Sequence, residues 1–214
     1  NATGTAALLP GYIASAWRFR RDIEFSVGLR PTTLVLISFV GGGLGAIILL
    51  ITSEQIFLSL IPWLILLATA MFAVGPWLVK EKRHSLQKIT INDAGSLSQQ
   101  TLSLCVLFLV CLYGGYFNGG LGIILLAALG ITGQVSLISM NGIKNFMSAR
   151  LTAITVTIYA VGGIIDSAYL IVLGVAAIVG GYAGAAFAYR IPQNALRIFI
   201  VVVGVSMSLG FFWV

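Results

Sequence analysis

Two cations stand where the surrounding chain argues against them. Lys144 and Arg150 lie in residues 135–163, a stretch otherwise apolar, small or weakly polar. That stretch is long enough to cross a bilayer. An ionisable side chain at such depth is costly and marks, by default, a substrate or ion path. No Asp or Glu falls within an apolar span of this chain to neutralise the pair. A bound anion would supply the missing charge, so the leading expectation is a membrane transporter of anions.

The neighbours of Lys144 sharpen this. Asn141, Asn145, Ser148, Thr152, Thr155 and Tyr159 recur with it at spacings of three and four, which puts them on one helical face. Amides, hydroxyls and one ammonium suit an oxygen-rich anion. The same polar residues also serve as glue between membrane helices, and it is the lysine that tips the reading toward a path. Arg150 comes six residues later and falls away from the centre of the stripe. Two roles stay open for it. A guanidinium binds oxyanions through paired hydrogen bonds, and it can equally tether carbonyls freed at a helix break.

Such a break is suggested by Gly114-Gly115-Tyr116-Phe117-Asn118-Gly119-Gly120-Leu121-Gly122. Glycines let a helix unwind or pack closely. Unwound backbone at membrane depth survives only in protein or along a cavity. A half-helix starting there would offer an anion its N–H groups and positive dipole end, and Asn118 could cap it. A flexible, tightly packed kink is the alternative. The expected substrate-binding residues are Lys144, Asn141, Asn145, Ser148 and Arg150, with Asn118, Gly119 and Gly120. No catalytic set, metal site or cofactor is expected. The spans hold no His, Asp or Glu, Cys105 and Cys111 read as packing residues, and His84 reads as solvated in a basic loop.

The elements that would position these residues follow from composition. The chain is 59% hydrophobic and 8% charged, too few charges to cover a soluble domain of 214 residues. It lacks the alternation of a membrane β-barrel. The fold class is therefore an all-α polytopic membrane protein. Its net charge of +6 does not point to nucleic acid, because the basic residues gather in short loops beside apolar spans, as the positive-inside rule describes. The spans are 2–17, 31–51, 56–79, a segment 101–129 containing the glycine run, then 134–163, 168–189 and 194–214, with a turn at 130–133.

Two halves are legible. The stretch from Asn1 to Gly41–Gly45 resembles that from Asn141 to Gly180–Gly184, at an offset of about 140 residues, as in transporter repeats. Residues 1–79 form a first transmembrane repeat, 80–100 a basic cytoplasmic loop and 101–214 a second repeat. The first repeat is expected to be truncated at its N-terminus, since it has no counterpart of segment 101–129. Arg18, Arg20, Arg21, Arg30, Lys80, Lys82, Arg83 and Lys88 mark the cytoplasmic side, with Arg190 and Arg197 in the second half. The repeats would then be inverted, and segment 101–129 broken or re-entrant. A same-direction repeat is the alternative. Gly41–Gly45 and Gly180–Gly184 read as close helix-packing faces.

The glycine run, Asn141-Gly142-Ile143-Lys144-Asn145 and Gly180–Gly184 together resemble the second repeat of the TauE/SafE sulfite exporter family, also described as a sulfonate-uptake permease group. Asn1-Ala2-Thr3-Gly4-Thr5 and the arginines after it resemble the middle of the first. The likeness covers nearly the whole chain. It implies a multi-pass permease of a prokaryotic inner membrane that carries sulfite or small organosulfur anions, with a small anion and the lipid bilayer as partners, no nucleic acid, and a homo-oligomer left open. Arg150 stands where a small polar residue is expected. A non-transporting membrane scaffold or assembly factor is the competing function. An intramembrane enzyme ranks third, for want of a nucleophile with a base.

Overall fold

In the computed structural model the described residues are 1–21, 23–25, 30–86, 97–131, 137–188 and 193–212. They form eight helices and, among these residues, no strand. In chain order these are α1 (Ala2–Phe19), α2 (Pro31–Ile51), α3 (Glu54–Leu86), α4 (Leu97–Tyr116), α5 (Leu121–Ile131), α6 (Leu137–Val161), α7 (Ser167–Ala188) and α8 (Gln193–Phe212). Pro31 opens α2, where a missing N–H costs nothing and the fixed φ suits the first turn. Asp166 opens α7, its Oδ1 accepting the N–H groups of Ala168 (2.9 Å) and Tyr169 (3.1 Å).

Three boundaries differ from the sequence expectation. The helix begun at Glu54 continues to Leu86, well past residue 79, and α4 starts at Leu97. Much of the expected loop 80–100 is thus helical. Lys80, Glu81, Lys82 and Arg83 are good helix formers, and a membrane helix need not stop where the lipid does. Gly130 lies inside α5 rather than in a turn. Residues 87–96, with Lys88, residues 132–136 and Arg190 lie outside the described residues, as do the side chains of His84 and Arg197.

α2 packs on α4 and α6, α1 on α6 and α7, and α3 on α5 and α8, while α4, α5 and α6 pack on one another. Glycine makes the α2–α4 approach possible. A Cβ at Gly41 would sit 2.7 Å from that of Cys111, and one at Gly45 would strike the Leu112 carbonyl. Gly115 is equally tight against the Gly42 backbone. Gly41–Gly45 is therefore a close-packing face. A Cβ at Gly180 would meet nothing within 4 Å among the described residues, and the side-chain surroundings of residues 181–184 lie outside them.

The main core joins Leu34 of α2, Leu107 and Cys111 of α4, Leu121, Leu125 and Leu129 of α5, and Ile143, Met147 and Leu151 of α6. The periphery is apolar and exposed: Ile171, Val172 and Val179 of α7, Ile198 and Phe199 of α8, and Trp63 of α3 are each more than half accessible. Such a surface suits lipid rather than water. Among the described residues, Pro31–Ile51 and Glu54–Val74 are long and apolar enough to cross a membrane by length and composition alone.

Candidate functional site

The candidate site lies where Lys144 of α6 comes beside the start of α5, just after the interruption between α4 and α5. The chain leaves helical geometry at residues 117–120. Asn118 (φ 60°) and Gly120 (φ 71°) take left-handed conformations. Asn tolerates that region better than most side chains. At Gly120 a side chain would also meet Ala68 of α3, its Cβ only 2.8 Å away. The Tyr113 hydroxyl pins the interruption by donating to the Gly119 carbonyl (2.7 Å), with the Leu64 carbonyl of α3 at 3.4 Å. Its ring meets Phe117 edge to face.

α5 then starts in the interior. Leu121 N–H donates to the Asn118 carbonyl, and the N–H groups of Ile123 and Ile124 donate to that of Gly120. The Asn118 side chain does not cap this helix, contrary to expectation. It is 5% exposed, and neither its amide nor its carbonyl has a partner among the described residues. The left-handed backbone at Asn118 lets the main-chain carbonyl take the capping role.

Lys144 reaches this helix start. A Cβ at Gly122, the second residue of α5, would lie 3.5 Å from Lys144 Cδ and 3.9 Å from Nζ. The ammonium and the positive end of the α5 dipole therefore point the same sign into one region. Neither neutralises the other, and both favour an anion.

Further along the same face of α6, the polar stripe divides. Tyr159 is buried and donates to the Gly115 carbonyl of α4 (2.5 Å). Thr155 donates to the Gly42 carbonyl of α2 (3.3 Å). These two are glue. Ser148 and Thr152 are fully buried, yet their hydroxyls have no partner among the described residues. They lie between Lys144, which faces Gly122, and the pair held on Gly42 and Gly115. Tyr116 adds a further buried, unpartnered hydroxyl at the end of α4.

The other expected residues are placed less uniformly. Asn145 is buried on α6, 6% exposed. Asn141 is half-buried and already engaged in an interaction. Gly119 and Gly120 form the interruption itself. Arg150 stands apart. Its Nη1 donates to the Phe146 carbonyl (3.0 Å), and its guanidinium lies 3.5 Å over the Phe146 ring. The tether to freed carbonyls of the broken segment is therefore not formed. An arginine four residues after an aromatic meets it on the same helix face before anything more distant.

Sequence reasoning left Tyr116, Gly122 and Thr152 out of the site. Thr152 was legible from the stripe. Tyr116 lies inside the glycine run, but only the fold shows its hydroxyl unpaired. Chemically, the arrangement offers one ammonium, a helix N-terminus and several buried donors to a small ligand. A buried polar group without a partner costs about 1–3 kcal/mol. An oxyanion that satisfies several at once recovers those costs. Among the described residues no group of His, Cys, Asp and Glu could hold a metal ion. Cys111 is buried and Cys105 exposed, and neither is in a disulfide.

An all-helical protein with an apolar exterior and a cationic polar site inside belongs to the integral membrane class. A family model described as Sulfite exporter TauE/SafE matches residues 1–211, and the chain belongs to that family of membrane transporters. No curated protein and no solved structure matches it.

Proposed function

We propose that this protein is a permease for small anions, sulfite or organosulfonates, in a prokaryotic inner membrane. The observation that carries the reading is the Lys144 ammonium beside the start of α5, on a helix whose Ser148 and Thr152 are buried without partners, as is Asn118 just before α5. Buried polar groups without partners are a cost to a scaffold, whereas in a carrier a bound anion can satisfy them.

Helix pairing supports alternating access between two inverted repeats. The repeat equates α1 with α6, α2 with α7 and α3 with α8. The α2–α6 contact then has its counterpart in α7–α1, and both are present. Equivalent helices run antiparallel. Near its start α1 meets the far end of α6, where Thr3 Oγ1 accepts the Asp166 N–H, and near its end it meets Gly142 through Phe19. In α3 and α8, Ser208 donates to the Pro62 carbonyl, and Gly204 abuts Thr69 farther along α3. Antiparallel equivalents are what a two-fold axis in the membrane plane produces.

The test is flux into liposomes carrying the purified protein. Sulfite and methanesulfonate should enter in a saturable way and compete, while a neutral solute of similar size should not. Folded protein that carries neither anion would leave the scaffold reading in place.

A further inference from the structure

We infer that the site selects its ligand by charge: it takes monoanions, such as a monosulfonate or hydrogen sulfite, and rejects dianions of the same shape. This rests on the permease reading and adds the charge that the substrate carries. The positive charge that the fold places at the start of α5 amounts to little more than one unit. The Lys144 ammonium beside Gly122 is, among the described residues, the one full charge there. Arg150, six residues on, keeps its guanidinium 3.5 Å over the Phe146 ring of its own helix and spends Nη1 on the Phe146 carbonyl. Arg18, Arg20, Arg21 and Arg30 are exposed. Of these, Arg20 lies 4.0 Å over the Trp17 ring and donates to the Trp17 carbonyl.

The helix end adds only a fraction. A helix N-terminus is equivalent to about half a charge, and its unsatisfied N–H groups carry it. In α5 the N–H groups of Leu121, Ile123 and Ile124 already donate to the Asn118 and Gly120 carbonyls, so most of that half charge is met by the protein itself. Asn118, Ser148 and Thr152, buried without partners, bring dipoles and no net charge. Neither α5 nor α6 contains an Asp or Glu that could offset the lysine. A monoanion therefore brings the site close to neutrality. A dianion leaves a negative charge unpaired in a low-dielectric interior, where such a charge is most costly.

The experiment compares two ligands of one shape and different charge. Fluorosulfate and monofluorophosphate each carry three oxygens and one fluorine on a tetrahedral centre. At neutral pH the first has one negative charge and the second two. Binding to purified wild type is read as thermal stabilisation over a concentration series, with methanesulfonate as the reference. Fluorosulfate should bind more tightly than monofluorophosphate by about tenfold or more. Fluorosulfate bound no more tightly than monofluorophosphate overturns the charge limit, and the permease reading stands so long as methanesulfonate binds. Failure of methanesulfonate and sulfite to bind would count against the permease reading and remove the charge limit with it. Arg150→Met should keep the wild-type ratio between the two ligands. A ratio that rises severalfold in this variant would show that the guanidinium counts toward the site, and overturns the charge limit.

Discussion

The two halves of the α6 polar face are built from nearly the same residue types and do different work. Thr155 and Tyr159 spend their hydroxyls on the Gly42 and Gly115 carbonyls. Ser148 and Thr152 spend theirs on nothing in the described protein. The difference lies in what faces them. Opposite Thr155 and Tyr159 are glycines so close that a backbone carbonyl is within reach. Ser148 and Thr152 are fully buried with no such carbonyl as partner, and Asn118 of the interruption is also unpartnered. One half binds helix to helix, and the other is the half we propose for the ligand.

The sharpest way to break this division is Lys144→Met. Anion affinity should fall on the order of a hundredfold, equivalent to about 3 kcal/mol, because the region loses its one full charge in a low-dielectric setting. Thermal stabilisation of the purified protein by sulfite reads the effect. A mutant stabilised as strongly as wild type would remove the ligand half altogether. Gly115→Ala attacks the structural half. Its Cβ would meet the Gly42 carbonyl, backbone against backbone, so helices must separate at a cost of about 3 kcal/mol. Denaturation in detergent should show it.

Smaller changes sharpen the comparison. Tyr159→Phe should cost about 1 kcal/mol, the usual scale of an interhelical hydrogen bond in a membrane protein, with sulfite affinity unchanged. Ser148→Ala should do the reverse, leaving stability flat or slightly raised while anion affinity drops about fivefold, or about 1 kcal/mol. If both mutants lose stability and neither loses affinity, the two halves are the same glue. Arg150→Met should do least. Its bond and ring contact stay within α6 and are partly exposed, so stability should change by about 0.5–1 kcal/mol. Sulfite affinity should hold. A loss approaching that of Lys144→Met would place Arg150 on the substrate after all.

Much of this protein could be read before any fold was known. Low charge and long apolar runs point to a helical membrane protein because lipid forces every backbone group to pair within its own segment. The face shared by Asn141, Lys144, Ser148, Thr152, Thr155 and Tyr159 follows from helical periodicity, a local property of the chain. The lysine stands out for an equally local reason, the cost of a charge in lipid.

What the sequence could not decide was which polar groups would find partners. The partner of Thr155 lies 113 residues away and that of Tyr159 lies 44 away. Whether a carbonyl sits within hydrogen-bond reach of a hydroxyl depends on how closely two helices approach, and so on glycines in a third segment. Asn118 was read as a cap from its position. The left-handed backbone that turned its side chain away arises from how the interruption is pinned by Tyr113 and crowded by Ala68. Arg150 was offered the substrate or the freed carbonyls of segment 101–129, and in the fold it meets not those carbonyls but a near partner, Phe146. Residue type and spacing determined which chemistry was available, and long-range packing decided which of it stayed unspent.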